Sequence, residues 1–429
     1  MRKTRTMGRL SLAAGLVVAL FASGCGGPAP SGSDGDSDSG AIRMLTPIFE
    51  GADGKQVLEE QLKTFKSSHP KVTVEVDYTS YGKLNEKLTT SIASGRPYDV
   101  MLMGIGWIPP FAAKGALAPL DVRRDELSQR FNERVVDPGI YDGKVYGLPI
   151  MLDTRFGIYR KDLLAEANLT APPRNFAELR EYGRKLTRRD ASGKLTRAGL
   201  DILSNDLRQT FLPLMWANGG DLFTADGKPA FDSPAAVGAL QFMTDVVRTD
   251  RSEDFGFTQP GAASGPPLAQ GRAAMMIGHN NVWQSIQESA PDLIKQDKIG
   301  FFMINNERPA IFQGGTLATV SAKSSHPGTA KALVDFLAGP GPSLAANQQR
   351  GNVPALKELA SSEYVTGNKS VQFAMQNLDA AYSEGGVPAW LEIRGDFKAA
   401  IESALLGKKT PQQALAELAA KAQVAIDKG

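Results

Sequence analysis

The side chains most often used for covalent or metal chemistry are few in this chain and far apart. It has one cysteine, Cys25, and three histidines, His69, His279 and His326, with no His, Cys and acid spacing that resembles a metal site. No Gly-x-Ser-x-Gly elbow occurs, and "GIG" at 104–106 lacks the third glycine of a dinucleotide-binding turn. Acids abound, yet nothing in their spacing singles out a pair for general acid–base work. What remains is recognition without bond making. Four tryptophans, Trp107, Trp216, Trp283 and Trp390, offer flat apolar faces, and Asp, Glu, Asn, Gln and Arg offer hydrogen-bonding groups. Trp216 stands apart: in "FLPLMWANGG" it lies at helical spacing from Phe211 and Leu212 and reads as a buried helix residue. No cofactor and no metal are expected.

The elements that must position such groups read as α/β. "AIRMLTPIF" is a strand, and "GKQVLEEQLKTFKSSHP" a helix with Leu58, Leu62 and Phe65 on one face and Pro70 ending it. "KVTVEVDYT" alternates, placing Val72, Val74 and Val76 together. "YGKLNEKLTTSIASG" presents Leu84, Leu88 and Ile92, and "YDVMLM" is a third strand. Strand–helix–strand–helix–strand order marks a largely parallel sheet, whose ligands bind at the carboxyl ends of its strands. The loops after Phe49, Tyr78 and Met103 are therefore the places to look. Later segments are richer in helix. The last, "GKKTPQQALAELAAKAQVAI", has Thr410 as N-cap and Pro411 at the first helical position.

The amino end is of a different kind. Arg2, Lys3, Arg5 and Arg9 precede thirteen uncharged residues, 10–22. A membrane-spanning helix takes about 20 apolar residues, so this run fits a secretory signal peptide, residues 1–24. Ala22, Ser23 and Gly24 then lead into Cys25, which resembles the lipobox of bacterial lipoproteins, with Ala22 where a larger apolar residue is usual. Cys25 is accordingly expected to carry diacylglycerol, the alternative being an ordinary export signal with an incidental cysteine. An exported thiol left free is a redox liability, whereas a thioether is inert. "GGPAPSGSDGDSDSG" cannot bury enough apolar surface to order itself, and residues 25–40 read as a flexible tether whose ends lie on the order of 20 Å apart.

Removing the four leader bases from 48 leaves 44 basic against 46 acidic residues, about −2, with no basic stripe long enough to track phosphates. Nucleic acid is not an expected partner. The roughly 390 remaining residues suffice for two cored domains at about 100–200 residues each.

Six segments in order resemble one family, the sugar-class extracellular solute-binding proteins of ABC importers, to which maltose-binding protein belongs. They are "YDVMLMGIGWIPPFAAKGALAPLD", "YDGKVYGLPIMLDTRFGIYRKDLLAEANLTAPPRNFAEL", "LPLMWANGGDLF", "LAQGRAAMMIGHNNVW", "GGTLATVSAKSSHPGTAKALVDFLAG" and "GKKTPQQAL". Arg160 stands where that family commonly has Asn, and Asn175-Phe176 where it has Thr-Trp. The resemblance implies a two-lobed, periplasmic-binding-protein-like α/β fold, each lobe a mostly parallel sheet flanked by helices. Three hinge crossings fall near 150–154, 308–313 and 350–355. The first lobe then comprises 41–151 and 312–351, and the second 152–311 and 352–429. A ligand binds between the lobes and shifts the population toward a closed form.

A pyranose has a C–H-rich face that packs on an aromatic ring and an equator of hydroxyls that must be paired once buried. On this resemblance Trp107 is a platform in the loop after the third strand, or else a hinge-side packing residue. Asn281 and Trp283 fall at the cleft, and Trp390 closes over the sugar from the second lobe or packs in its core. Asp153 contacts a hydroxyl at the first crossing, or serves as a cap or hinge ion pair. Glu50 lies in the loop after the first strand, as a contact or a solvated loop acid; Tyr81 opens the second helix and offers ring and hydroxyl, or is a half-exposed tyrosine without function; Gln209 is a second-lobe contact. Gly315, with Gly314, allows close backbone approach or simply makes a tight turn. Arg350 forks onto hydroxyls or a carboxylate, or is a surface hinge arginine. The chain is thus expected to be a monomeric, non-catalytic, membrane-anchored receptor delivering a carbohydrate to an ABC permease. The rivals are a binder of a phosphodiester, polyol or peptide, and an exported carbohydrate-active hydrolase.

Overall fold

The computed structural model describes residues 39–258 and 265–428. The expected signal peptide, Cys25 and the tether up to residue 38 lie outside the described residues. Among the described residues no helix is long and apolar enough to cross a membrane.

The first five elements are β1 (Ser39–Thr46), α1 (Gly51–Ser68), β2 (Lys71–Tyr78), α2 (Tyr81–Ala93) and β3 (Val100–Gly104). β1 pairs in parallel with both β2 and β3. Helix α1 buries Leu58 and Phe65 and ends before His69, whose backbone leaves the helical region ahead of Pro70. In α2, Leu84 and Leu88 are buried, each worth about 2 kcal/mol of apolar transfer. Ile92 shares their spacing but sits in the last turn, beyond the sheet, and is 40% exposed.

Two long strands tie the molecule together, Gly147–Arg160 and Pro309–Ser321. They run antiparallel, with Gly314 opposite Asp153 and Gly315 opposite Leu152. Val353–Pro354 pairs with Leu152 and Met151 on the same long strand. The segments expected to cross the hinge fall on or beside these three strands. One sheet path therefore runs Lys71–Tyr78, Ser39–Thr46, Val100–Gly104, Pro309–Ser321, Gly147–Arg160, Ala273–His279, Leu195–Asp201, Arg188–Arg189. Pairing is parallel within β1–β3 and between Leu195–Asp201 and Ala273–His279. It is antiparallel around the long strands, because the chain runs out along one and returns along the other.

The apolar residues form two cores on this curled sheet. One gathers Ile42, Met44, Leu58, Phe65 and Leu102; the other gathers Phe211, Met215, Trp216, Phe231 and Phe397. Val282, Trp283, Ile286 and Ile299, in the stretch assigned from sequence to the second lobe, join the first core. The carboxyl-terminal helix Pro411–Lys428 opens as anticipated, with Thr410 and Gln413 each accepting from the other's backbone N–H at 3.2 and 3.1 Å.

Gly315 has φ +141°, and a Cβ there would lie 2.3 Å from the Met151 carbonyl oxygen. Gly315→Ala is therefore expected to cost roughly 2–3 kcal/mol, read by urea unfolding. Unchanged stability would show that the strand pair can slide apart at this point.

Candidate functional site

β3 ends at Gly104 and the chain turns through Ile105-Gly106, closed by a hydrogen bond from the Trp107 N–H to the Gly104 carbonyl at 3.1 Å. Trp107 then starts the short helix Ile108–Ala112, whose Pro109-Pro110 favours the first helical turn. Its ring lies parallel to Phe111, with centroids 6.4 Å apart. Tyr81, the first residue of α2, reaches across to Thr316, with the two hydroxyls 2.5 Å apart. Tyr81 is 37% exposed, but withdrawal of its hydroxyl from water pushes the phenol above its ordinary range, and the group is a neutral hydrogen-bonding partner.

Asp153 and Arg155 lie two apart on the long strand Gly147–Arg160 and so share a face. Arg155 Nη1 donates to Asp153 Oδ1 at 2.8 Å and Nη2 to Gln209 Oε1 at 2.5 Å. Its guanidinium also sits 5.4 Å from the centre of the Phe312 ring. Gln209 is presented by the helix Leu207–Ala217, whose cap Asp206 accepts from the backbone N–H groups of Arg208 and Gln209. Glu384, following the short strand Ala381–Ser383, meets Arg208 in a buried ion pair and lies 3.5 Å from Arg394.

These groups surround a cavity of about 490 Å³, within the range of about 300–1,000 Å³ usual for small-molecule sites. Tyr81, Trp107, Asp153, Gln209, Gly314 and Gly315, all named from sequence, line it. Arg155, Phe312, Glu384 and Arg394 also line it and were not anticipated. Arg155 was legible in "LDTR" once Asp153 was placed on a strand, by alternation alone. Arg394 follows Trp390 by one helical turn, but nothing in "WLEIR" says which of the two faces the cleft.

The other named residues are elsewhere. Trp390 is fully buried, its ring edge-on to Phe223 and tilted against Phe397, so it belongs to the second core and not to the cavity surface. Trp283 is 5% exposed and packs on Phe301 in the first core. Both indoles were named from their positions in the family resemblance, which serve packing as well as binding. Asn281 stands at the N-cap of the helix Val282–Ser289 without a side-chain capping bond; its carbonyl accepts from the Ser285 N–H at 3.2 Å and its own N–H donates to His279 Nδ1 at 2.9 Å. Its neighbour Asn280 is the buried one, bridging the Thr154 N–H and the Gly351 carbonyl. Glu50 is exposed at the start of α1, away from the cavity. Arg350 ends the helix Pro340–Arg350, half-buried; its charge acts on Tyr81 and His279 but it does not line the cavity.

Electrostatics behind the cleft are coupled. Burial opposes ionisation of Asp153, but Arg155 and His279 outweigh it and hold the carboxyl far below its usual range. His279 Nε2 faces Asp153 Oδ2 at 3.8 Å. Burial, followed by repulsion from Arg155, pushes His279 down to about 4, although Asp153 pulls the other way. The unfolded chain therefore binds more protons than the folded one between about pH 6.5 and 4. Stability from this group is complete above pH 6.5 and lost as the pH falls. Asp153 has the same sign at lower pH, its contribution being present above the ordinary carboxylate range and lost below it. Wild type is expected to lose on the order of 2 kcal/mol more than His279→Gln between pH 7 and 4.5 in urea unfolding. Equal losses would place the acid sensitivity elsewhere.

The cleft, the crossing strands and the two cores define a two-lobed binding protein. The chain belongs to the family of bacterial extracellular solute-binding proteins, whose model matches residues 50–343. A binding protein of Brucella abortus (strain 2308) is 29% identical over 406 residues, covering 91% of this chain and 95% of the other. The diacetylchitobiose binding protein DasA of Streptomyces coelicolor is 23% identical, with 89% of each chain covered. Among solved structures, the GacH receptor of Streptomyces glaucescens, determined unliganded and with acarbose, superposes with a TM-score of 0.74. It is 21% identical, with 91% of this chain and 99% of that chain covered, and shares the fold.

Proposed function

We propose that this protein is the receptor of an ABC importer, that it captures a carbohydrate between its lobes, and that it releases it intact to the permease. The observation that carries the reading is the composition of one cavity. The Tyr81 ring, 37% exposed, supplies an apolar face and the largely buried Trp107 an apolar edge, while Asp153, Arg155 and Gln209 form a ring of donors and acceptors already fixed by one another. Such preorganisation suits hydroxyl pairing, and a site built to pair each hydroxyl rejects analogues that leave its own groups unpaired. A relative that binds diacetylchitobiose and a structural neighbour that binds acarbose support the class of ligand.

In this reading closure of the lobes completes the site, and the closed form docks on a permease whose ATPase supplies the energy. Diacylglycerol on Cys25 retains the protein at the outer face of the membrane, and the tether after it lets the lobes approach the transporter as a monomer. Turnover is no part of the mechanism. Thermal-shift screening against a panel of mono- and oligosaccharides tests the reading, since a ligand that binds only the folded state raises the melting temperature by mass action. At least one saccharide is expected to raise it and to be recovered chemically unchanged after overnight incubation. No shift with any saccharide, or a hydrolysed product, would overturn it.

A further inference from the structure

We infer that the saccharide taken by this cleft carries one carboxylate, as in a uronic-acid-containing sugar, received by Arg394, with the buried Arg208 behind it. The inference rests on the carbohydrate reading above and deepens it. Four arginines surround or back the cavity: Arg155, Arg208, Arg350 and Arg394. Three carboxylates answer them, Asp153, Asp206 and Glu384. His279 does not add to either side, being held neutral at pH 7.

The distribution matters more than the totals. Asp153 is committed to Arg155, whose second nitrogen is committed to Gln209. Asp206 is 53% exposed, caps its own helix, and stands 3.9 Å from Arg208. Glu384 is therefore the single buried carboxylate facing two guanidinium groups. It contacts Arg208 directly and Arg394 at 3.5 Å, and its side chain and that of Arg208 are each 5% exposed. Burial, followed by repulsion from Arg394, pushes Arg208 down to about 9, so the two cations act on one another across this wall of the cavity.

Arg394 is the accessible member, 25% exposed, with its guanidinium 5.9 Å from the centre of the Trp107 ring. It thus flanks the surface on which a pyranose would lie. A neutral sugar closing this cleft would remove water from Arg394 and leave it only a share of Glu384, which Arg208 already contacts. A carboxylate supplies the rest of its counter-charge, and its planar fork matches guanidinium. A doubly charged phosphate would be repelled by Glu384, and an amino sugar by both arginines.

The test is calorimetric titration of the purified protein with matched pairs. These are galacturonate and galactose, di- and trigalacturonate and the corresponding galactose oligomers, and di- and trimannuronate and the corresponding mannose oligomers. At least one acid is expected to bind about tenfold or more tighter than its neutral partner, the preference shrinking as salt is raised from 20 to 300 mM. Arg394→Gln is expected to narrow that ratio below about threefold. Glu384→Gln, which frees both arginines, is expected to widen it. If either variant fails to fold, the wild-type ratio and its salt dependence decide. Equal or tighter binding of every neutral partner overturns the inference and leaves the carbohydrate reading standing; no binding by any saccharide overturns both.

Discussion

Replacing Trp107 with alanine is expected to weaken ligand binding about tenfold or more without unfolding the protein. The indole lines the cavity at the carboxyl end of β3, where a parallel sheet presents its loops to ligands. Little of the 5%-exposed indole is left for a ligand to cover, so the tenfold, about 1.4 kcal/mol, comes from the cavity wall it forms and holds in place. Stability is expected to fall as well, by about 3–5 kcal/mol, because the indole is 5% exposed and packs in the first core beside Phe111. Calorimetry with the saccharide found by screening, together with circular dichroism, separates the two effects. Unchanged affinity would remove Trp107 from the site.

Gly385→Val is expected to lower affinity by a similar factor for a different reason. The Glu384-Gly385 backbone lies directly on Gly106 of the Trp107 turn, and a Cβ on Gly385 would fall 2.6 Å from the Gly106 Cα. A side chain there acts as a wedge between the first-lobe loop and the loop that carries Glu384. Gly385 also has φ +111°, so some cost is plain backbone strain. Gly386→Val isolates that part: its φ is +101°, but its Cβ would meet nothing closer than Phe223 at 3.7 Å. The two variants should lose comparable stability, while Gly385→Val alone loses affinity. Equal affinity in both would mean that the contact does not govern closure.

The parts of the fold that could be read from the chain were those governed by local periodicity. Leu58, Phe65, Leu84 and Leu88 are buried where the helical spacing put them, and β1–β3 pair in parallel as their order requires. Ile92 departs because spacing alone does not say where the underlying sheet ends. At the cavity, Tyr81 after β2, Trp107 after β3 and Asp153 at the first crossing line the wall, whereas Glu50 after β1 does not, since strand order directs a loop to one end of the sheet without saying which side chain turns inward. Trp283, expected at the cleft, packs in the first core, and Trp390 takes the core-packing alternative, because an indole on a helix fits a core as well as a cleft. Glu384 and Arg208 were missed because their meaning lies in one another, across a long separation in the chain, and no local pattern records it.

The measurement that bears most directly on the central claim is a titration of the purified protein with the saccharide found by screening, followed in parallel by calorimetry and small-angle scattering. The account predicts one saccharide bound per chain, recovered intact, with a smaller radius of gyration on saturation and no such contraction in Gly385→Val. Binding that leaves the radius unchanged in wild type, or a ligand returned cleaved, would contradict it.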